Sequence, residues 1–173
     1  MKNIKRAKLE EQTEHIEVCG THFKEIYKAI ERFKADKDNI PNWLSDLYPD
    51  YLQDESLLIC PADPNQGMFE RLPFAPPDPK MPCSYVYEFH PRYFFDMGPE
   101  EVKKQFGEDA EAIIARDYKD KQLQDFGDIV PIVRCWNYGG DFVLSLSYGG
   151  KIFVTDGPWE DDVEDIKKQI GNS

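Results

Sequence analysis

EHIEVCGTHFKEIYKAIERF, residues 14–33, is the stretch whose reading decides the fold. Ile16, Cys19, Phe23, Ile26, Ile30 and Phe33 recur at alternating steps of three and four, the period of a helix with one apolar stripe. Lys24, Glu25, Lys28, Glu31 and Arg32 fill the opposite side. Upstream, KRAKLEEQTEH carries only Ile4, Ala7 and Leu9 among charges. If the helix runs back to about Ile4 it is roughly 45 Å long, at about 1.5 Å per residue. Two readings fit this periodicity. One is a spine with a covered C-terminal half and a free N-terminal half. The other is a helix of about 20 residues behind a frayed, charged leader.

Downstream of the helix, KADKDNIP is a polar exit, and Pro41 cannot continue a helix. PNWLSDLYPDYL presents Trp43, Leu44, Leu47, Tyr48 and Leu52 for a short helical turn on the spine. SLLIC, residues 56–60, reads as a strand or buried extended segment. Seven prolines lie between Pro61 and Pro82, so that span is a loop, laid on the domain by Met68, Phe69, Leu72 and Phe74. SYVYEF, residues 84–89, reads as a strand. Gly98-Pro99-Glu100-Glu101 opens a helical insert that a break near Gly107 divides. DIVPIVRCW (128–136), DFVLSLSY (141–148) and KIFVT (151–155) then read as strands, the last two joined in a hairpin at Gly149-Gly150. Trp159, an acidic stretch and a short helix close the chain. A helix first and an antiparallel meander later give an α+β class in one domain, residues 1–35 the spine and 36–173 the loop-and-sheet part.

Composition narrows the functions. The net charge is −12, which repels a phosphate backbone and argues against nucleic acid. No run of about 20 apolar residues could cross a bilayer, and MKNIKRAKLEE lacks the apolar core of a signal peptide. GxSxG, HExxH, P-loop and dinucleotide glycine patterns do not occur. Cys135 with His90 or His22 is the one chemically sensible nucleophile–base pair, and neither pair has a recognisable context. Enzymatic activity is not expected. His15 and His22 read as solvated residues of a charged helix.

The ordered set FKEIYKAI, IPNWLSDLYPDYL, LLICPADP, SYVYEF, PIVRCW and VLSLSYGGKIFVTDG resembles bacterial pseudopilins, closest to the type II secretion and H-X9-DG pilin-like proteins. The resemblance runs from about residue 7 to 160. It implies a long helix packed on a small antiparallel sheet, and a structural role beside other pilin-like subunits or secretion-system proteins. It also implies an extracytoplasmic location, or a cytoplasmic one if the anchorless start is native. Two departures stand out. The apolar membrane segment that precedes the helix in such proteins is missing, so contact with a membrane is expected only through an anchor outside this chain. Asp156-Gly157 matches the DG of the signature, but ten residues earlier stands Leu146 instead of histidine. A non-polymerising extracytoplasmic binding module on the same fold is the alternative. Tyr85, Tyr87, Phe89, Tyr93, Phe94 and Phe95 are its candidate surface, unless they are plain core.

Cysteine and acid supply the remaining candidates. Cys60, Cys83 and Cys135 with His90 make a chemically possible zinc set, yet no tight ligand pair occurs among them. The extracytoplasmic compartment implied by the resemblance favours a disulfide instead, Cys60 with Cys135 ahead of Cys60 with Cys83. Cys19 reads as a small core residue of the stripe. Asp156, Glu160, Asp161 and Asp162, with Glu164 and Asp165, are oxygen donors for calcium, and type II major pseudopilins use a calcium loop near their C-terminus. This stretch does not reproduce that loop, and acids ahead of IKKQI also suit a helix N-terminus with no metal; no other cofactor is expected. Lys2, Lys5, Arg6, Lys8, Glu10, Glu11 and Glu14 charge every face of the first turns, so the chain alone is expected to be monomeric.

Overall fold

The computed structural model describes residues 2–68, 75–94, 97–138 and 142–171, with side chains from residue 13 onward. Phe69, Leu72, Phe74, Phe95 and Asp141 lie outside the described residues, as do the side chains of Lys2, Lys5, Arg6, Lys8, Glu10 and Glu11. The first helix, α1, spans Lys2–Lys37, so the longer of the two readings holds. Cys19, Phe23, Ile26, Ala29 and Ile30 are buried along it, flanked by partly buried Ile16 and Phe33. Lys34 and Lys37 close its last turn, where cations oppose the negative end of the helix dipole. Asp38 then takes a positive φ of 53° and the chain leaves the helix.

The stripe packs on a four-stranded antiparallel meander in the order β1-β2-β3-β4. The strands are β1 Val86–Tyr87, β2 Pro131–Cys135, β3 Val143–Ser147 and β4 Ile152–Thr155. Every residue of β2 and β3 is buried, so these central strands are covered on both faces. The β3–β4 turn runs through Gly149 and Gly150 as the hairpin motif requires. Gly150 has φ +80°, and a Cβ there would meet the Tyr27 ring at 2.5 Å, so the turn needs glycine and seats itself against α1. The helical insert is α2 Pro99–Phe106 and α3 Ala115–Phe126, with Pro99 at the first helical position and the Glu101 carboxylate accepting from the Gly98 N–H at 3.1 Å. The last helix, α4 Val163–Gly171, lays Gln169 along the edge strand. Its side chain donates to the Val154 carbonyl at 2.9 Å and accepts from the Val154 N–H at 3.0 Å, covering groups an edge otherwise leaves open.

Two expected strands are shorter or absent. SLLIC begins as a 3-10 turn, Glu55–Leu58, because Asp54 caps it by accepting from the Ser56 N–H at 2.9 Å. SYVYEF forms a strand only at Val86–Tyr87, with the Glu88 N–H adding one bond to the Ile132 carbonyl at 3.0 Å, while the Ser84 N–H is drawn away to the Leu58 carbonyl at 2.9 Å. The proline loop is organised by buried Asp63 of CPADP. Its carboxylate accepts from the Asn65 and Gly67 N–H groups and from the Ser84 hydroxyl, at 2.9, 2.8 and 2.7 Å. One hydrophobic core runs from Cys19 on α1 to Ile166 on α4.

Candidate functional site

Three cysteines from three distant parts of the chain meet where α1 crosses the sheet. Cys19 comes from the apolar stripe, Cys60 from the segment entering the proline loop, and Cys135 from the end of β2. Cys60 Sγ lies 3.3 Å from Cys19 Sγ and 3.5 Å from Cys135 Sγ, and all three sulfurs fall within 4.8 Å of one another. All three residues are 0% exposed, and none of the four cysteines forms a disulfide. Among the described residues this is the only group of three or more Cys, His, Asp or Glu ligand atoms gathered so closely.

Polar hydrogens surround the sulfurs. The Tyr85 hydroxyl donates to Cys19 Sγ at 3.3 Å, and Asn137 Nδ2 approaches Cys135 Sγ at 3.7 Å. Tyr138, whose hydroxyl also bonds the His15 carbonyl at 3.4 Å, reaches Cys19 too. His22 Nδ1 lies 2.9 Å from the Tyr85 oxygen. Because that hydroxyl spends its proton on sulfur, the network places a proton on Nδ1. His22 is therefore half-buried and tied to the cluster through Tyr85, not solvated as its charged neighbours imply. Hydrogen bonds from Cys135, Cys60 and the two tyrosines hold the Cys19 thiol far below its ordinary pKa, against the opposing effect of burial. Cys135 is pushed strongly upward by its contacts with Cys19 and Cys60 and by burial. For Cys60 the Cys135 contact acts downward, but Cys19 and burial prevail and raise it to about 12.

The other face of β2 carries different chemistry. Arg134 follows the alternation to the side away from Cys135. Its Nη1 and Lys119 Nζ lie 3.7 and 3.0 Å from the carboxylate of Glu88, two cations on one anion. Arg134 also stacks over Trp136 at 4.6 Å, and Lys119 lies over Trp159 at 5.7 Å. These groups line an open cleft of about 370 Å³ together with Phe94, Phe142 and Asp156. Among the described residues, Arg134 Nη2 and Trp159 Nε1 are buried donors without a hydrogen-bond partner.

The sequence-derived candidates disperse. Cys83 is buried away from the cluster, its thiol bonding the Tyr85 carbonyl at 3.4 Å, and burial raises its pKa to about 12. His90 is buried against the Trp43 ring, stacked at 5.5 Å. The zinc set of Cys60, Cys83, Cys135 and His90 is therefore corrected: Cys19 stands where Cys83 was expected, and no histidine joins. Cys60 and Cys135, the favoured disulfide pair, are neighbours. Asp156, Glu160 and Asp161 are exposed and Asp162 partly so, in and before a 3-10 turn at Trp159–Asp162, and their oxygens do not converge. Glu160 instead accepts from Gln122 Nε2 at 2.8 Å. Tyr85, Tyr87 and Phe89 are core, while Tyr93 and Phe94 are partly exposed. The role of Cys19 has no local signal. Its stripe position shows only that it faces the sheet, where the inward residues of β2 lie.

No protein-family model matches the chain, and neither the curated proteins nor the solved structures hold a significant match.

Proposed function

We propose that this chain is the helix-spined globular subunit of a pilin-like assembly of the type II secretion or type IV pilus kind, structural and not catalytic. The observation that carries this reading is α1 itself. At about 1.5 Å per residue it is roughly 54 Å long, while its buried stripe from Ile16 to Phe33 occupies only about 26 Å of it. A helix that long exceeds what one small domain needs as a packing partner. A subunit that aligns its helix with those of neighbours uses the remaining turns. Charges fill those first turns, so little apolar area is available to draw copies together, and the net charge of −12 repels them. No described helix is long and apolar enough to cross a membrane. On this reading assembly draws on apolar packing other than that of these turns, in the extracytoplasmic setting that the pilin resemblance implies.

A second reading, a non-polymerising binding module, is favoured by the aromatic cleft with its unpartnered Arg134 and Trp159 donors. One experiment separates the two. An apolar helix of about 20 residues is joined ahead of Lys2, and the protein is reconstituted into bilayers. Exposed Glu17 is replaced by cysteine (Glu17→Cys) for oxidative cross-linking. Ladders of cross-linked neighbours are expected with the added segment, and monomers in sedimentation of the chain alone at two salt concentrations. Monomers in the bilayer at every protein density would overturn the subunit reading, and a stable oligomer of the chain alone would assign an interface to the sheet domain.

A further inference from the structure

We propose that Cys19, Cys60 and Cys135 form a buried three-coordinate site for one thiophilic ion of the copper(I) class. The spacing of the sulfurs is the first argument. Three thiolates about 2.3 Å from a shared ion lie roughly 3.8–4.0 Å apart, whether at the corners of a trigonal plane or on one face of a tetrahedron. The observed separations, 3.3 and 3.5 Å with the third under 4.8 Å, need only small side-chain adjustments to reach that arrangement.

The number of ligands is the second argument. Zinc in a structural site takes four ligands, and a fourth is not gathered here among the described residues. His22 presents Nδ1 to the Tyr85 hydroxyl. That hydroxyl donates its proton to Cys19 and, in so apolar a place, serves as a neutral donor in preference to an anionic ligand. Water is shut out as a fourth ligand by complete burial. A closed set of three soft sulfurs suits copper(I) better than zinc.

The surroundings are the third argument. Hydrogen bonds from Tyr85 and Asn137 reach two of the sulfurs, the outer-shell pattern that supports anionic metal ligands. On binding, the thiol protons pass to solvent and no electron is transferred. Since the site is sealed, loading requires local opening of α1 or occurs as the chain folds.

The test is anaerobic titration of the reduced, intact chain with copper(I), held by a competing chelator. One ion per chain is expected, three-coordinate with sulfur by X-ray absorption, accompanied by a rise in melting temperature. Cys60→Ala should weaken binding more than about 100-fold, beyond the 10–100-fold typical of an outer-shell change. Tyr85→Phe, which keeps the ring, should weaken it within that 10–100-fold range, and Cys83→Ser should leave it unchanged. Circular dichroism of each apo variant verifies folding. If Cys60→Ala does not fold, Tyr85→Phe and Cys83→Ser still distinguish this site from surface binding. No uptake by the wild type, equal uptake by Tyr85→Phe, dependence on Cys83, or displacement by stoichiometric zinc would each overturn the assignment.

Discussion

The two faces of β2 place opposite chemistry one residue apart. Cys135 looks toward α1 into a sealed cluster of soft, polarisable sulfurs, whereas Arg134 looks the other way into an open cleft of hard charges. On the first face the groups come from residues 41 and 75 apart in the chain, and no water reaches them. On the second, one carboxylate balances two cations whose charged heads lie over aromatic rings. The difference shows what burial demands. Thiols enter a core at little cost because they are nearly apolar, but charges enter only with partners and hydrogen bonds. Cluster geometry therefore rests on packing, and cleft geometry on electrostatics.

The largest expected effect breaks the packed face. Burying Phe23, Ile26, Ile30 and Phe33 contributes on the order of 6–12 kcal/mol before entropy is subtracted. Phe23→Asp places an unpaired carboxylate beside the Tyr85 ring, 5.1 Å from Phe23, and should unfold the domain. Glu17→Lys on the exposed side should leave the melting temperature nearly unchanged. Equal effects in thermal melts would refute the spine.

Next comes the charged face. Glu88→Ala strands Lys119 and Arg134 and should cost about 3–5 kcal/mol in urea unfolding, the usual result of removing one partner from a buried pair. The pH dependence sharpens this. Burial alone would raise the Glu88 carboxyl, but Lys119 and Arg134 prevail and hold it below its ordinary value. The folded state therefore binds this proton less readily than the unfolded chain. Its contribution is fully present above about 4.5, the ordinary glutamate value, and is lost as pH falls through the depressed folded value. Denaturation midpoints of the wild type should fall steeply below about pH 4.5, and Glu88→Gln should flatten that slope. A parallel slope in the variant would remove Glu88 from the account.

Gly150→Ala tests where the hairpin meets α1. The positive φ and the Tyr27 ring together should cost about 1–3 kcal/mol, whereas Gly98→Ala, with open space around it, should cost much less. The smallest effect belongs to the solvated rim. Glu164 pairs with Lys167 at 2.9 Å on the surface of α4, and Glu164→Gln should leave stability unchanged within error. A measurable loss there would mean that the acidic tail does more than solvate a helix.

Local rules made much of this legible beforehand. The three-four rhythm of Ile16 to Phe33, the Gly98-Pro99 start, the Gly107 break and the Gly149-Gly150 turn each depend on neighbours within a few residues, and each stands in the structure where the sequence places it. The short strands were less legible. The pairing of 84–89 depends on which backbone groups compete for its hydrogen bonds, and the Leu58 carbonyl is one of them. The calcium and zinc sets rest on residue type, which does not tell whether side chains converge.

What the sequence by itself determined is the class of the fold, the inward face of α1, and the presence of thiols and acids that could serve a site. Helix period, proline and glycine act locally, so they can be read along one dimension. Only the tertiary structure decided that Cys19 leaves the role of filler to join Cys60 and Cys135, that Cys83 and His90 stay apart, and that Glu88 lies between Lys119 and Arg134. These meetings depend on the angle at which α1 crosses the sheet and on the register of β2, which are set by the packing of the whole core. No run of neighbouring residues encodes them.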